Sequence, residues 1–216
     1  MSLDLVDVTV APSGGASLFA PVSASVGAGQ CLCLIGPSGR GKSTLLSMIG
    51  GHLPRGLTGA GQVILNGRSL VPLPAEARRV GLLFQDAPLF PHLSVGDNLA
   101  FGLAGHVSGR SARRAAISDA LSQAGLAGFE TRDPATLSGG QRVRVALMRA
   151  LLAEPEAVLL DEPFSRLDVA LRAEIRAFVL AHIRARGIPA VLVSHDPEDA
   201  DVADHVLTLA PWGASQ

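Results

Sequence analysis

The 216 residues carry 18 basic and 19 acidic side chains, a net charge of -1, so nothing in the balance suggests bulk attraction to nucleic acid or anionic lipid. Hydrophobic residues at 48% suffice for a packed core, and aromatics at 4%, with one Trp and no Tyr, argue against a stacking surface for single strands. The length fits one large α/β domain, or a core carrying a small inserted subdomain.

In chain order, residues 3–10 alternate well enough for a strand, and residues 22–26 read as another. The stretch 8–39 has no charged side chain, but Pro12, Pro21, Pro37 and six glycines interrupt it. No run of 18 apolar residues occurs anywhere, so no membrane span is expected. The opening MSLDLVDVTV lacks a basic and an apolar region, so no signal peptide is expected either. Cys31–Ile35 is an unbroken apolar run of the kind found in a buried central strand. Cys31 and Cys33 share one face of that strand and read as small buried hydrophobes, with no third sulfur to complete a thiolate site.

A helix is predicted from about Thr44 to Ile49, then a strand over 62–66 and a buried strand over 80–84. PLFPHLSVGDNLAFGL follows, with more apolar material than one element needs to bury. Residues 110–124 and 169–185 carry helical periodicity, residues 157–160 form a short buried strand, and Ala190–Val193 and 206–209 are the last strands. Strands alternating with helices imply a mainly parallel sheet covered on both faces. A helical majority over about 86–149 predicts an inserted subdomain, with the core formed by 1–85 and 150–216.

GPSGRGKST runs from Gly36 through Pro37, Ser38, Gly39, Arg40, Gly41, Lys42 and Ser43 to Thr44, and fits the Walker A pattern between a buried strand and a helix. Glycines let backbone N–H groups curl around a phosphate, and the helix N-terminus adds partial positive charge. Lys42 can reach the β- and γ-phosphates, and the Ser43 hydroxyl can ligate Mg²⁺. AVLLDEPFSRLD supplies the complement: an apolar run delivers Asp161 and Glu162 to a strand end, one carboxylate for the Mg²⁺ shell and its neighbour to polarise an attacking water.

In TLSGGQRVRVALMRALLAEP, Ser138 and Gln141 match a capping box at a helix start. The box does not account for Gly139 and Gly140, each of which weakens a helix by up to about 1 kcal/mol against alanine. Bare backbone at a helix N-terminus suits the close approach of an anion, so a second phosphate-binding end is expected. Arg142, Arg144 and Arg149 read as a solvated helix face.

These motifs together resemble ABC-type ATPases over nearly the whole chain. Leu137, Ser138, Gly139, Gly140 and Gln141 are similar to the family's signature motif, Gln85 to its Q-loop, Ser165 to Asp168 to its D-loop, and His195 in VLVSHD to its switch histidine. The resemblance implies a P-loop NTPase fold: a mainly parallel α/β core sheet, an N-terminal antiparallel β-subdomain and an inserted helical subdomain. It implies ATP and Mg²⁺ as ligands, with Ser43, Gln85 and Asp161 at the metal and Glu162, Gln85 and His195 in hydrolysis.

Two copies would pack head to tail, so that one signature helix faces the nucleotide on the other copy. LFPHLSVGDNLAFGL resembles ATPase subunits of binding-protein-dependent importers. That implies transmembrane permease subunits as partners, a substrate-binding protein indirectly, no nucleic acid, and a peripheral place on the cytoplasmic face of a bacterial inner membrane. A soluble ABC ATPase and an exporter or lipid-extruder subunit are the alternatives, and a small-molecule kinase would have no use for the signature helix. No C-terminal regulatory domain is expected. The sequence departs from the family twice: VAPSGGAS lacks the aromatic that stacks on adenine, leaving Phe19 as candidate, and Arg166 stands where a small residue is usual.

Overall fold

The computed structural model describes every residue except Ser38, Ala87, Ala104, His106 and residues 214–216. The chain forms two compact units. The first comprises Met1–Leu82, Glu156–Glu162 and the chain from Leu180 onward, and the second comprises Leu83–Pro155 and Pro163–Val179.

The first unit begins with β1 (Ser2–Pro12), β2 (Val22–Gly27) and β3 (Cys31–Ile35), followed by α1 (Lys42–Gly50), β4 (Leu57–Leu65), β5 (Arg68–Ser69) and β6 (Val80–Leu83). Much later the chain adds β7 (Ala157–Asp161), β8 (Ala190–Val193), α6 (Pro197–Asp201) and β9 (His205–Thr208). One sheet is antiparallel, in the order β2-β1-β4-β5, with Leu3 opposite both Val26 and Leu65. The register of β1 shifts at a bulge around Asp7, whose φ is 48°. A five-stranded sheet has the order β6-β7-β8-β3-β9, with β3 parallel to β8 and β9, and β7 parallel to β8.

The core strands read as continuous apolar runs because helices and the other sheet take both faces from water. Leu32, Leu34, Leu159, Val191 and Val193 are all essentially buried there. β4 starts at Leu57, well before the expected residue 62. Its first half is exposed and rich in Gly and Thr, so no hydrophobic alternation marks it; pairing with β1 beyond the bulge makes it a strand. Similarly, α1 begins at Lys42 because Gly41, at φ 86°, turns the chain directly into the helix.

The second unit is helical: α2 (Val95–Gly102), α3 (Arg110–Gln123), α4 (Gly139–Leu152) and the first part of α5 (Val169–Arg186). Ser94 caps α2 by accepting from the Asp97 N–H, a start signal hidden inside the apolar run. Behind it Asn98 is fully buried; its side-chain amide donates to the carbonyls of Phe90, Leu93 and Ser94, and its Oδ1 accepts from the Phe90 N–H. The loop before α2 is thereby riveted to the helix.

The arginines of α4 are not a solvated face. Arg149 donates to the Pro88 carbonyl and Asn98 Oδ1, lies over the Phe90 ring, and has its pKa lowered by burial. Arg144 pairs with Glu174 and donates to the Ala124 carbonyl, and Arg142 donates to the Leu137 carbonyl. Long side chains of α4 bridge to neighbouring elements, which a helical wheel of one segment cannot show.

Candidate active site

β3 ends at Ile35 and the chain enters the glycine-rich loop, where Gly36, Gly39 and Gly41 take φ values of 142°, 77° and 86°. Only glycine adopts these readily. No side chain caps the N-terminus of α1 and its first turn holds no acid, so its leading N–H groups face outward with the positive end of the helix dipole. Lys42 is 5% exposed and its Nζ donates to the carbonyls of Gly36 (2.7 Å) and Pro37 (3.0 Å), drawing the ammonium back along the loop. Arg40 and Gly39 are exposed, Thr44 is half-buried, and Ser38 lies outside the described residues.

Phe19 is not a stacking residue in this structure. It is fully buried in the core of the first unit, and its ring lies so close beneath Gly41 that a Cβ there would sit 2.9 Å from it. A ring with no exposed face cannot cover a base. Phe19 instead forms the floor of the loop, and gives Gly41 a packing reason besides its φ.

Across from the loop, Ser43 Oγ donates to Asp161 Oδ1 at 2.9 Å. Burial pushes the Asp161 carboxyl up from its ordinary value, opposed by the Ser43 hydrogen bond; the Glu162 charge raises it further and Lys42 lowers it. Glu162 follows at φ 45°, a left-handed backbone costly for a residue with a side chain. Its N–H donates to the Val193 carbonyl, and its Oε2 lies 3.2 Å from His195 Nδ1. The backbone on either side of His195 is anchored: the Ser194 hydroxyl donates to the buried Asp199 and accepts from the Asp196 N–H, and Asp196 caps α6. Asp199 was not singled out by sequence, since PEDAD reads as surface acid.

The first unit therefore brings together Gly36, Lys42, Ser43, Asp161, Glu162 and His195. The candidates from Gln85 to Gln141, with Ser165 and Asp168, lie in the second unit. Gln85 is exposed, two residues past β6. Ser138 Oγ accepts from the Gln141 N–H at 3.3 Å and Gln141 Oε1 from the Ser138 N–H at 3.0 Å, the complete capping box. Leu137 is buried. Gly140 has a reason the sequence did not show: a Cβ would lie 3.0 Å from Leu171 and 3.2 Å from Ile175, both on α5. Gly139 is nearly as tight against Leu167. Asp168 Oδ1 accepts from the Leu171 N–H at the start of α5, and Ser165 is half-buried beside it. Arg166 gains an account: it pairs with Asp86 at 2.7 Å, both side chains more than half exposed, joining the residue after Gln85 to the segment after Glu162.

Cys31 and Cys33 are free and buried, and burial pushes both thiols up to about 12, so they pack as hydrophobes. Among the described residues no group of three or more His, Cys, Asp or Glu side chains gathers as a metal cluster, and none of the helices is long and apolar enough to cross a membrane.

A parallel sheet whose strand β3 feeds a glycine-rich loop at a helix N-terminus, joined to a separate antiparallel sheet and a helical unit, defines a P-loop NTPase of ABC ATPase type. The ABC transporter family profile matches residues 19–165, and the chain belongs to that family. It is 50% identical over 195 residues to the uncharacterised ABC transporter ATP-binding protein YnjD of Escherichia coli strain K12, covering 90% of this chain and 89% of that one. It is 43% identical to the thiamine import ATP-binding protein ThiQ of a Ruegeria species, over 87% of this chain and 80% of that protein. The sulfate/thiosulfate import ATP-binding protein CysA of Mycobacterium bovis is 44% identical over 84% of this chain and 51% of its own length. This chain is thus the ATP-binding subunit of an ABC transporter and an ATP hydrolase.

Proposed function

We propose that this subunit powers import through a separate membrane permease fed by a substrate-binding protein, and that two copies close head to tail around ATP in each cycle. The observation that carries the reading is one cluster in the first unit: a capless helix N-terminus, Lys42, the Ser43–Asp161 hydrogen bond, and Glu162 beside His195. Lys42 and the loop N–H groups would hold the phosphates. The donor set of Ser43 hydroxyl and Asp161 carboxylate fits a hard cation such as Mg²⁺. That ion would neutralise charge on the phosphates. Glu162 would orient and deprotonate the attacking water, and His195, in a segment anchored by the Ser194–Asp199 hydrogen bond, would contact the γ-phosphate.

The capped start of α4, from Ser138 to Gln141, is the second anion-binding end and would serve the nucleotide held by the partner copy. Leu137 supports it from the core, and Ser165 and Asp168 would line the same dimer face. Import is favoured because the relatives named above for a substrate carry import in their names. A peripheral position on the cytoplasmic face of the inner membrane follows from that role.

The direct test is Lys42→Ala. ATP binding should weaken and hydrolysis should stop; hydrolysis at the wild-type rate would overturn the assignment. Because Phe19 lies beneath the loop, GTP titrated in parallel should bind within a few-fold of ATP.

A further inference from the structure

Behind the nucleotide site lies an arginine that the proposed chemistry leaves unused. Arg78 is 5% exposed, and its guanidinium spends its donors on backbone carbonyls alone. Nη1 donates to Met48 (2.7 Å) and Ile49 (2.8 Å), Nε to Leu73 (2.9 Å) and Nη2 to Val71 (3.3 Å). Met48 and Ile49 belong to the last turn of α1, where carbonyls lack intrahelical partners and the dipole is negative. That turn contains no basic residue of its own. Gly51 closes the helix at φ 84°, and a Cβ there would fall 2.5 Å from Arg78 Nε, so the helix end is shaped around the guanidinium.

The same segment grips the rear of β7. Glu156, the residue before β7, pairs with Arg79 at 3.0 Å and Arg68 at 3.6 Å, and its N–H donates to the Arg79 carbonyl at 2.8 Å. Arg68 in turn donates to the carbonyls of Ala77 and Arg78. α1 and β7 run in opposite senses, with Ser43 and Asp161 meeting at their front ends. α1 has 9 residues and β7 has 5. The clamped ends are thus about 8–9 Å behind the site along α1 and about 16 Å behind it along β7, at 1.5 Å and 3.3 Å per residue.

We infer that Arg78, with Glu156, is a positioning residue for the metal half of the nucleotide site: it fixes the back of α1 against the back of β7, and so sets the Ser43–Asp161 spacing at the front. The inference rests on reading those two residues as Mg²⁺ ligands. Arg78→Lys keeps the charge but offers a point donor where a planar fork is used, so it should not rescue the geometry.

The test titrates a fluorescent methylanthraniloyl-ATP onto wild type, Arg78→Lys and Glu156→Ala, in EDTA and across a Mg²⁺ series, with melting temperatures measured on the same samples. Lys42 and the loop move with α1 itself, so phosphate contacts through them do not depend on its spacing from β7, and affinity in EDTA should change less than about twofold. Half-saturating Mg²⁺ should rise about tenfold in both variants, the scale on which residues behind a metal's ligands act. Lower melting temperatures with unchanged Mg²⁺ half-saturation in folded protein would make the clamp merely structural and overturn the inference. If Arg78→Lys does not fold, Glu156→Ala decides alone. A wild type whose analogue binding ignores Mg²⁺ would refute the underlying ligand assignment, a different failure from unaffected variants on a Mg²⁺-responsive wild type.

Discussion

Asp161 is held against its own preference. Its carboxylate is partly buried with Glu162 adjoining, and burial raises its pKa above the ordinary 3.8. A folded-state pKa above the unfolded one means that the native protein binds more protons between the two values. Stability therefore falls as pH rises through that window, and the deficit is absent below 3.8. Asp161→Asn should raise the melting temperature of the nucleotide-free protein at pH 7, with a gap that narrows as pH approaches 4, and should abolish stabilisation by Mg²⁺-ATP. Thermal unfolding at both pH values checks this; a variant less stable than wild type at pH 7 would contradict it. Lys42, Ser43 and Asp161 were legible as residues because their chemistry is written in motif spacing. Phe19 was not: one aromatic near a glycine loop reads equally as ligand platform or loop floor, and only burial distinguishes them.

Among the elements, α4 shows where periodicity informs and where it stops. The capping box of Ser138 and Gln141 was readable, because it depends on spacing within one segment. Gly140 and Arg149 were not, because their reasons lie on α5 and in the loop at Pro88. The same limit hid β5, the first half of β4 and the buried Asn98, whose partners are set by tertiary pairing. Gly140→Leu should destabilise the nucleotide-free subunit by about 2 kcal/mol through overpacking against Leu171 and Ile175. Denaturant unfolding without ATP measures it. Unchanged stability would leave the glycine with a ligand reason only.

At the scale of the whole molecule, the second unit presents exposed aromatics in and just before the segment that resembles importer ATPases. Phe101 is 70% exposed and Phe84 47%, and the Phe101 ring meets Phe90 edge-on at 4.7 Å. Exposed aromatics of this size are unusual on a free surface and suit permease docking. Phe101→Glu should reduce co-purification with the permease while leaving ATPase activity of the isolated subunit near wild type, and equal recovery of the complex would remove the assignment. The claim that unites both units is that a nucleotide held by Lys42 of one copy is completed by Ser138 of another. Glu162→Gln keeps the size of the side chain but removes the base, so ATP should bind and persist. Size-exclusion chromatography with light scattering on this variant, with and without Mg²⁺-ATP, measures the consequence directly. A monomer is expected without nucleotide, a dimer with it, and loss of that dimer on adding Ser138→Arg; a mass indifferent to ATP would contradict the shared site.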